Sequence, residues 1–429
     1  IKVYTENYIN PIETFFGIPY ATPPTGRYRF SAPERHPGWR RTFFAHRMPP
    51  RCPQFGDDDT TENFSEDCLY LNIWTTRRAD GKSMPVAVIF YSESWDRGGI
   101  SLPCQQLAAE GLVVVTVAFR LHLLAFFTLK SVLARGNLTI LDQYLALLWI
   151  RDNISAFGGD PSAVTVIGHS AGADSVLRHI ASPRSVGLFQ RVILMSPREL
   201  WKAVDDTQSI NASNIEQISR EIASSLGCKS KEDQEILRCM REQSLTDIIS
   251  LYSHPNWSKT FEVIPDVYLP PSEQYLPISL ANALSASKQP IMQLDVLFGT
   301  TDLENVNNYD NDYMELLKHP PSYIMEYANT KRIPELLRMF SLDNIDASAL
   351  LSHAIRWEYW SSKIRRDAEK KTFDYIEGLA RMESSAHWGV GSALLAARLA
   401  RRVSRLYVYK YLQPGEVDLQ GNILNYTGI

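Results

Sequence analysis

Gly168-His169-Ser170-Ala171-Gly172 reads G-x-S-x-G. Its neighbours make the pattern informative. A β-branched run, Ala163–Gly168 (AVTVIG), precedes it, and a helix-forming run, Ser170–His179, follows. Flanking glycines permit a sharp strand-to-helix turn that lifts a serine hydroxyl above a sheet. The N–H of the next residue, Ala171, then points to where an oxyanion forms. The chemistry implied is nucleophilic attack on a carbonyl, which needs a base to take the serine proton and an acid to orient that base. Taken alone, the five residues describe equally well a strand-to-helix turn with an incidental serine.

The elements that would position this serine are legible. Pro85–Tyr91, Leu112–Phe119, Ala163–Gly168, Arg191–Met195, Leu294–Phe298 and Leu406–Tyr409 are short apolar runs without strict alternation, as in strands covered on both faces. Ile140–Phe157 carries apolar residues at helical spacing and stops at Gly158-Gly159. Strands alternating with helices predict an α/β fold with a mostly parallel, doubly wound central sheet. The stretch from about Glu199 to Pro290 reads as a polar, helix-rich insertion, and a second helical stretch runs from about Asp312 to Ala400. No internal repeat or low-complexity segment stands out, so residues 1–429 read as a single domain with helical insertions.

Composition narrows the class. The chain has 429 residues, 45% of them hydrophobic and 21% charged, with a net charge of -4. That balance gives no support to nucleic-acid binding or a polybasic membrane contact. No apolar run is long enough to span a bilayer. The five cysteines, Cys52, Cys68, Cys104, Cys228 and Cys239, lack Cys-x-x-Cys spacing, so neither a metal site nor a cofactor is expected. Sequons occur at Asn63, Asn137, Asn153, Asn211, Asn256 and Asn425, and Asn153 falls where a helix is expected. Together with the cysteines they point to the secretory pathway and an extracellular glycoprotein. The chain starts at Ile1 without a signal peptide, which reads as an excised piece, with any membrane attachment lying outside it.

Three further motifs carry a resemblance. They are Phe15-Phe16-Gly17-Ile18-Pro19-Tyr20-Ala21 with Pro23-Pro24-Thr25-Gly26, Ser65–Trp74 (SEDCLYLNIW), and Ala156-Phe157-Gly158-Gly159-Asp160-Pro161. With the G-x-S-x-G element, they make the whole chain resemble the type-B carboxylesterase/cholinesterase family, which has the α/β-hydrolase fold. The resemblance implies disulfides Cys52–Cys68 and Cys228–Cys239 with Cys104 free. It also implies a Ser–Glu–His triad. Ser170 falls on the nucleophile. Glu304, in Gly299-Thr300-Thr301-Asp302-Leu303-Glu304-Asn305, falls on the acid, although Asn305 replaces a glycine of that pattern. A solvated loop carboxylate is the plainer reading of Glu304.

Departures from the family pattern concern the catalytic floor. Active members carry Gly-Gly-Gly after the strand Pro85–Tyr91, whereas this chain has Ser92-Glu93-Ser94. Two oxyanion-hole donors are thereby assigned to Glu93 and Ser94, and the third to Ala171. A Glu93 side chain would bring bulk and negative charge to the oxyanion position, and losing one donor typically costs about 2.7–4 kcal/mol. The neighbouring loop, Arg120-Leu121-His122-Leu123-Leu124-Ala125-Phe126, has His122 and Ala125 in place of glycines, which suggests a filled cleft. His122 is either a local base or a packed histidine. The triad histidine would follow Leu424–Ile429, and is either just beyond that segment or absent. His387 precedes the late strand and does not fall on the motif. The family's C-terminal helices, often used for dimers, are not in this chain, and a homodimer stays open.

These departures favour the family's catalytically inactive, neurotactin-like adhesion branch: a pseudoenzyme ectodomain that binds an extracellular protein ligand in a cell-adhesion or receptor role. The alternative is a secreted or membrane-anchored carboxylesterase using the Ser–Glu–His triad.

Overall fold

Val113–Val117 is five consecutive buried residues, four of them valine, and such a run is stable only with both faces of its sheet covered. The computed structural model covers it on both faces. It describes residues 2–3, 11–54, 56–57, 63–76, 81–100, 102–205, 214–254, 257, 261–285, 293–302, 304, 312–344, 346–361 and 372–412. The strands are β1 (Lys2–Val3), β2 (Ile12–Pro19), β3 (Tyr70–Thr76), β4 (Met84–Ser94), β5 (Arg97–Gly98), β6 (Val113–Val117), β7 (Gly159–Ser170), β8 (Arg191–Met195), β9 (Asp295–Thr301) and β10 (Arg405–Tyr411). The sheet order is β1-β2-β3-β6-β4-β7-β8-β9-β10, with β5 paired to β4 alone. β6, β4, β7 and β8 are mutually parallel, while β1, β2 and β3 form an antiparallel edge. The expected parallel centre is therefore present.

By compactness the chain divides into two units, residues 1–298 with 396–407, and residues 299–395 with 408–429. The first holds the parallel centre and the insertion. Helix Leu138–Asn153 follows Asn137, whose left-handed backbone (φ 55°) turns the chain into it, and Ile154–Phe157 continues as a 3₁₀ turn. Helix Ala171–Ala181 packs on β7 and β4 and is buried almost throughout. Helices Ile215–Ser225, Asp233–Glu242 and Leu245–Ser250 of the insertion share one apolar core with Leu123–Phe127 and Leu138–Leu141. Arg120 fixes the start of that floor. Its Nε lies 2.9 Å and its Nη2 2.6 Å from the buried Asp142 carboxylate.

Cys52 is bonded to Cys68 and Cys228 to Cys239, and Cys104 is a buried free thiol. Such bonds fit an oxidising compartment. Among the described residues, no helix is long and apolar enough to cross a membrane and no cluster suits a metal ion.

In the second unit, helices Pro321–Tyr327, Ile333–Met339 and Thr372–Ser384 enclose a separate core around Ile324, Leu379 and Trp360. Arg332 pairs there with the buried Glu383.

Candidate active site

Ser170 ends β7 and precedes helix Ala171–Ala181 with φ 55° and ψ -121°. This is a conformation that non-glycine residues rarely adopt, and such strain persists only where the surroundings enforce it. The surroundings here are two glycines. A Cβ on Gly172 would sit 1.9 Å from the Phe90 carbonyl oxygen, and one on Gly168 would sit 2.5 Å from that of Gly172. The helix can approach β4 at Gly172 and β7 at Gly168 this closely only because both positions lack side chains. Ala171 is the first helical residue, so its N–H has no intrahelical partner.

What faces Ser170 is the end of β4. The pairing of β4 with β7 continues through Tyr91↔His169 to Ser92↔Ser170. β4 then folds back through Trp95-Asp96 into β5, with Ser92 opposite Gly98 and Ser94 opposite Arg97. Ser92 Oγ braces this hairpin from within, 2.5 Å from the Ser94 carbonyl oxygen and 2.9 Å from that of Arg97. The hairpin turns the Glu93 carbonyl toward the nucleophile: Ser170 Oγ donates to it at 2.8 Å. Arg198 Nη1 donates to the same oxygen at 3.1 Å.

This corrects the expectation about Glu93. Its side chain does not fill the oxyanion position; its carboxylate instead accepts from the Tyr91 hydroxyl at 3.0 Å. It is the main-chain carbonyl of Glu93, not its carboxylate, that meets Ser170, because the strand edge continued through Glu93 alternates donors and acceptors. Ser94 is likewise engaged inside the hairpin, with its hydroxyl on the Asp96 carboxylate.

The floor is packed. His122 has a left-handed backbone (φ 49°) and is buried with the rest of helix His122–Phe126. Its ring stacks on Tyr252 at 3.8 Å and meets Phe261 edge-on at 4.8 Å. Neither ring nitrogen has a hydrogen-bond partner. Burial holds its imidazole down at about 3, so it is neutral near pH 7. With neither ring nitrogen hydrogen-bonded, His122 has no partner to relay a proton to, which makes it a packing residue. His179 is another buried neutral histidine, its two nitrogens on Tyr275 Oη (2.6 Å) and Gln143 Oε1 (2.9 Å).

Glu304 belongs to the second unit, where its Oε1 accepts from the Thr301 N–H at 2.6 Å. His387 lies in the π-helical turn Ser385–Val390 of that unit, and burial lowers its basicity. Asn305 and Leu424–Ile429 fall outside the described residues.

Sequence reasoning missed a cluster of buried charges behind the hairpin. Asp174 accepts from the N–H groups of Arg198 (3.2 Å) and Glu199 (3.0 Å). Glu199 in turn pairs with Arg178, with Lys202 at 3.0 Å and with Trp95 Nε1 at 3.1 Å, and Lys202 also pairs with Glu262. Burial, and then the Glu199 charge, raises the Asp174 carboxyl. At Glu199 burial also opposes ionisation, but Arg178 and Lys202 outweigh it and keep that carboxyl low. The cluster anchors Trp95 at the hairpin tip and the backbone that carries Arg198. Asp174 and Arg178, four apart on a helix buried on all sides, were its one sequence signal. A cavity of about 20 Å³ lies beside Arg178, Lys202 and Glu262, room for roughly one water.

The sequons divide. Asn63 is exposed, as is Asn153 at the end of its helix. Asn137 is corrected as a glycan site. It is 5% exposed, its Nδ2 donates to the Ile264 carbonyl at 2.7 Å, and its Oδ1 accepts from the Ile264 N–H at 3.1 Å. Asn211, Asn256 and Asn425 lie outside the described residues.

The family model described as Carboxylesterase family matches residues 2–424. An acylcarnitine hydrolase of Mus musculus is 36% identical over 271 residues, covering 60% of this chain and 46% of the relative. A carboxylesterase 1F of Mus musculus is 35% identical over 273 residues, 60% of this chain and 48% of the relative. An acetylcholinesterase of Bungarus fasciatus is 36% identical over 256 residues, 56% of this chain and 41% of the relative. The chain spans about half the length of the curated relatives it matches.

Proposed function

Because the chain belongs to the carboxylesterase family, we propose that it keeps that family's scaffold, has lost ester hydrolysis, and acts outside the cell by binding another protein in an adhesion or receptor role. One observation carries the loss of chemistry: Ser170 Oγ donates its proton to the Glu93 carbonyl oxygen at 2.8 Å. Acyl transfer needs N–H donors where the substrate oxygen becomes negative, and a base on the serine proton. A carbonyl oxygen is an acceptor. It repels the developing charge and is too weak a base to activate the serine. The packed floor around His122, Tyr252 and Phe261 supports the same reading. Protein binding follows by elimination and from the resemblance to the family's inactive branch. A rigid fold retained without chemistry still offers a broad surface.

Ester hydrolysis is the second reading, and specific observations favour it. The strained Ser170 turn and its two close-packed glycines are intact. The printed names of the relatives are those of hydrolases and esterases, which favours this reading over the first. Under it, the β4–β5 hairpin swings the Glu93 carbonyl away before Ser170 attacks the ester carbon.

The discriminating experiment is turnover of p-nitrophenyl acetate by the full-length protein beside its Ser170→Ala variant. The proposal expects equal background rates. Turnover that disappears in the variant overturns it and establishes hydrolysis.

A further inference from the structure

Arg40 and Arg41 stand side by side in the segment between β2 and β3, and neither is in an ion pair among the described residues. The stretch around them, Pro37–Phe44, is exposed at every position. Among the described residues, no hydrogen bond joins the backbone of Trp39–Phe43 to the rest of the fold. What orders the stretch is local: the Gly38 N–H donates to His36 Nδ1 at 3.0 Å, and the Trp39 and Phe43 rings lie 5.0 Å apart. Exposed loop tips are the preferred sites of proteolytic nicking, and the burial and hydrogen bonding of the backbone decide which bond is open to attack.

Both ends of the stretch are fixed, which confines the accessible backbone to its middle. Arg35 forms a β-bridge with Ala21 and an ion pair with Asp152 at 3.0 Å. On the other side the Phe16 N–H donates to the Ala45 carbonyl at 3.0 Å, and His46 forms a β-bridge with Phe16. Arg47 is exposed too, but its backbone lies against β2, where a Cβ on Gly17 would sit 3.0 Å from its carbonyl oxygen. The next residue is tied as well, since Asn72 Nδ2 donates to Met48 Sδ at 3.2 Å. An extended peptide is recognised through its main chain, as an added strand, so the residues around a bond to be cut must first leave the fold. Around Arg41 there are no such bonds to break, and around Arg47 there are.

We propose that the Arg40-Arg41 pair is a processing site, cut after Arg41 by a trypsin-like serine protease to give a two-chain protein. An acidic residue at the base of such a protease's specificity pocket selects arginine. Hydrolysis breaks the amide between Arg41 and Thr42, with water giving its hydroxyl to the Arg41 carbonyl carbon and a proton to the Thr42 nitrogen. Neither Cys52–Cys68 nor Cys228–Cys239 crosses the cut, so the two pieces are held by packing alone. That packing is extensive. β2 pairs with β3 from Ile12↔Thr76 to Pro19↔Tyr70, Tyr20 Oη donates to the Ala118 carbonyl at 2.6 Å, and Arg29 Nε lies 2.6 Å from Glu66 Oε1. Ile12, Ile18, Tyr20 and Phe30 of the N-terminal piece are buried in the fold. Neither Ser170 nor the β4–β5 hairpin takes part.

The test is brief treatment of the full-length native protein with a trace of trypsin, the fragments being read by mass spectrometry. A synthetic peptide of residues 35–50 gives the rates for the same bonds outside the fold. An Arg40→Gln/Arg41→Gln variant is run beside it, with unchanged thermal unfolding confirming that it is folded. Cleavage of a native chain tracks the population of its open form, and opening energies fall toward zero where the backbone bonds to nothing. The pair is therefore expected to be cut at a rate within about a hundredfold of the peptide's, and Arg47–Met48 more slowly than that. The variant should lose the cut at the pair, and the N-terminal piece of the cut wild type should co-elute with the remainder on gel filtration. Protection of the pair beyond that factor overturns the proposal. So does cleavage after Arg47 as fast as at the pair, which would mean that the whole segment leaves β2. Release of the N-terminal piece overturns the two-chain product.

Discussion

Ser170 and Arg198 donate to one oxygen, the Glu93 carbonyl, from Oγ at 2.8 Å and Nη1 at 3.1 Å. A nucleophile and a cation thus converge on an acceptor that belongs to the protein itself. Both donors are thereby engaged by the protein's own main chain.

A fluorophosphonate reagent tests how firmly it is held. Such a reagent phosphonylates a serine, with loss of fluoride, when the serine proton is removed and the phosphoryl oxygen is stabilised. Ser170 is expected to stay unlabelled under conditions that fully label a cholinesterase, read by peptide mass spectrometry. A labelled Ser170 would mean that the hairpin opens, and would favour the hydrolytic reading.

The hairpin depends on the charges behind it. Glu199 joins Arg178, Lys202 and Trp95, and the Arg178 and Glu199 side chains are 4% and 12% exposed. Removing one partner of a buried ion pair leaves the other charge uncompensated, at about 3–5 kcal/mol. Glu199→Gln keeps the shape and removes the charge, so urea unfolding should show a loss of that size. Amide exchange of Ser92–Gly98 should accelerate at the same time. A loss below about 1 kcal/mol would show that the cluster is not a brace.

The strand pattern was legible because buried parallel strands leave a direct composition signature. Val113–Val117 and Arg191–Met195 fall inside or on the expected runs. The end of β4 was not. Pro85–Tyr91 has the apolar run, but pairing continues to Ser94 through polar residues, driven by the two-residue turn at Trp95-Asp96. Residue types identified Glu93 as a departure from the family pattern. They could not show that its backbone carbonyl, common to every residue, makes the contact. Asp174, Arg178, Glu199, Lys202 and Glu262 were invisible as a group because their partnership is set by tertiary packing.

Glycosylation checks the packing of the insertion on the floor. Asn63 is exposed, whereas the Asn137 amide is tied at both ends to the backbone of Ile264. A glycan on Asn137 would require breaking both bonds and opening the floor. Glycopeptide mass spectrometry of protein from a secreting host should find Asn63 occupied and Asn137 bare. An occupied Asn137 would mean that the Ile264 segment does not dock there as described.

Acid stability follows from the two buried histidines. Burial holds the His122 and His179 imidazoles down at about 3, whereas an exposed imidazole titrates near ~6.5. Between these values the unfolded chain binds protons that the folded chain refuses. Stability is therefore fully present above pH ~6.5 and falls as pH drops toward 3, by about 1.4 kcal/mol per pH unit for each histidine. His122→Phe preserves an aromatic ring against Tyr252 and removes the titrating nitrogens. It pays a constant strain for its left-handed backbone, which shifts the curve without changing its slope. The unfolding free energy from urea titrations between pH 7 and pH 5 should consequently fall less steeply for His122→Phe than for the wild type. Equal slopes would mean that His122 takes up a proton in the folded state, and that its ring reaches a polar partner in the packed floor.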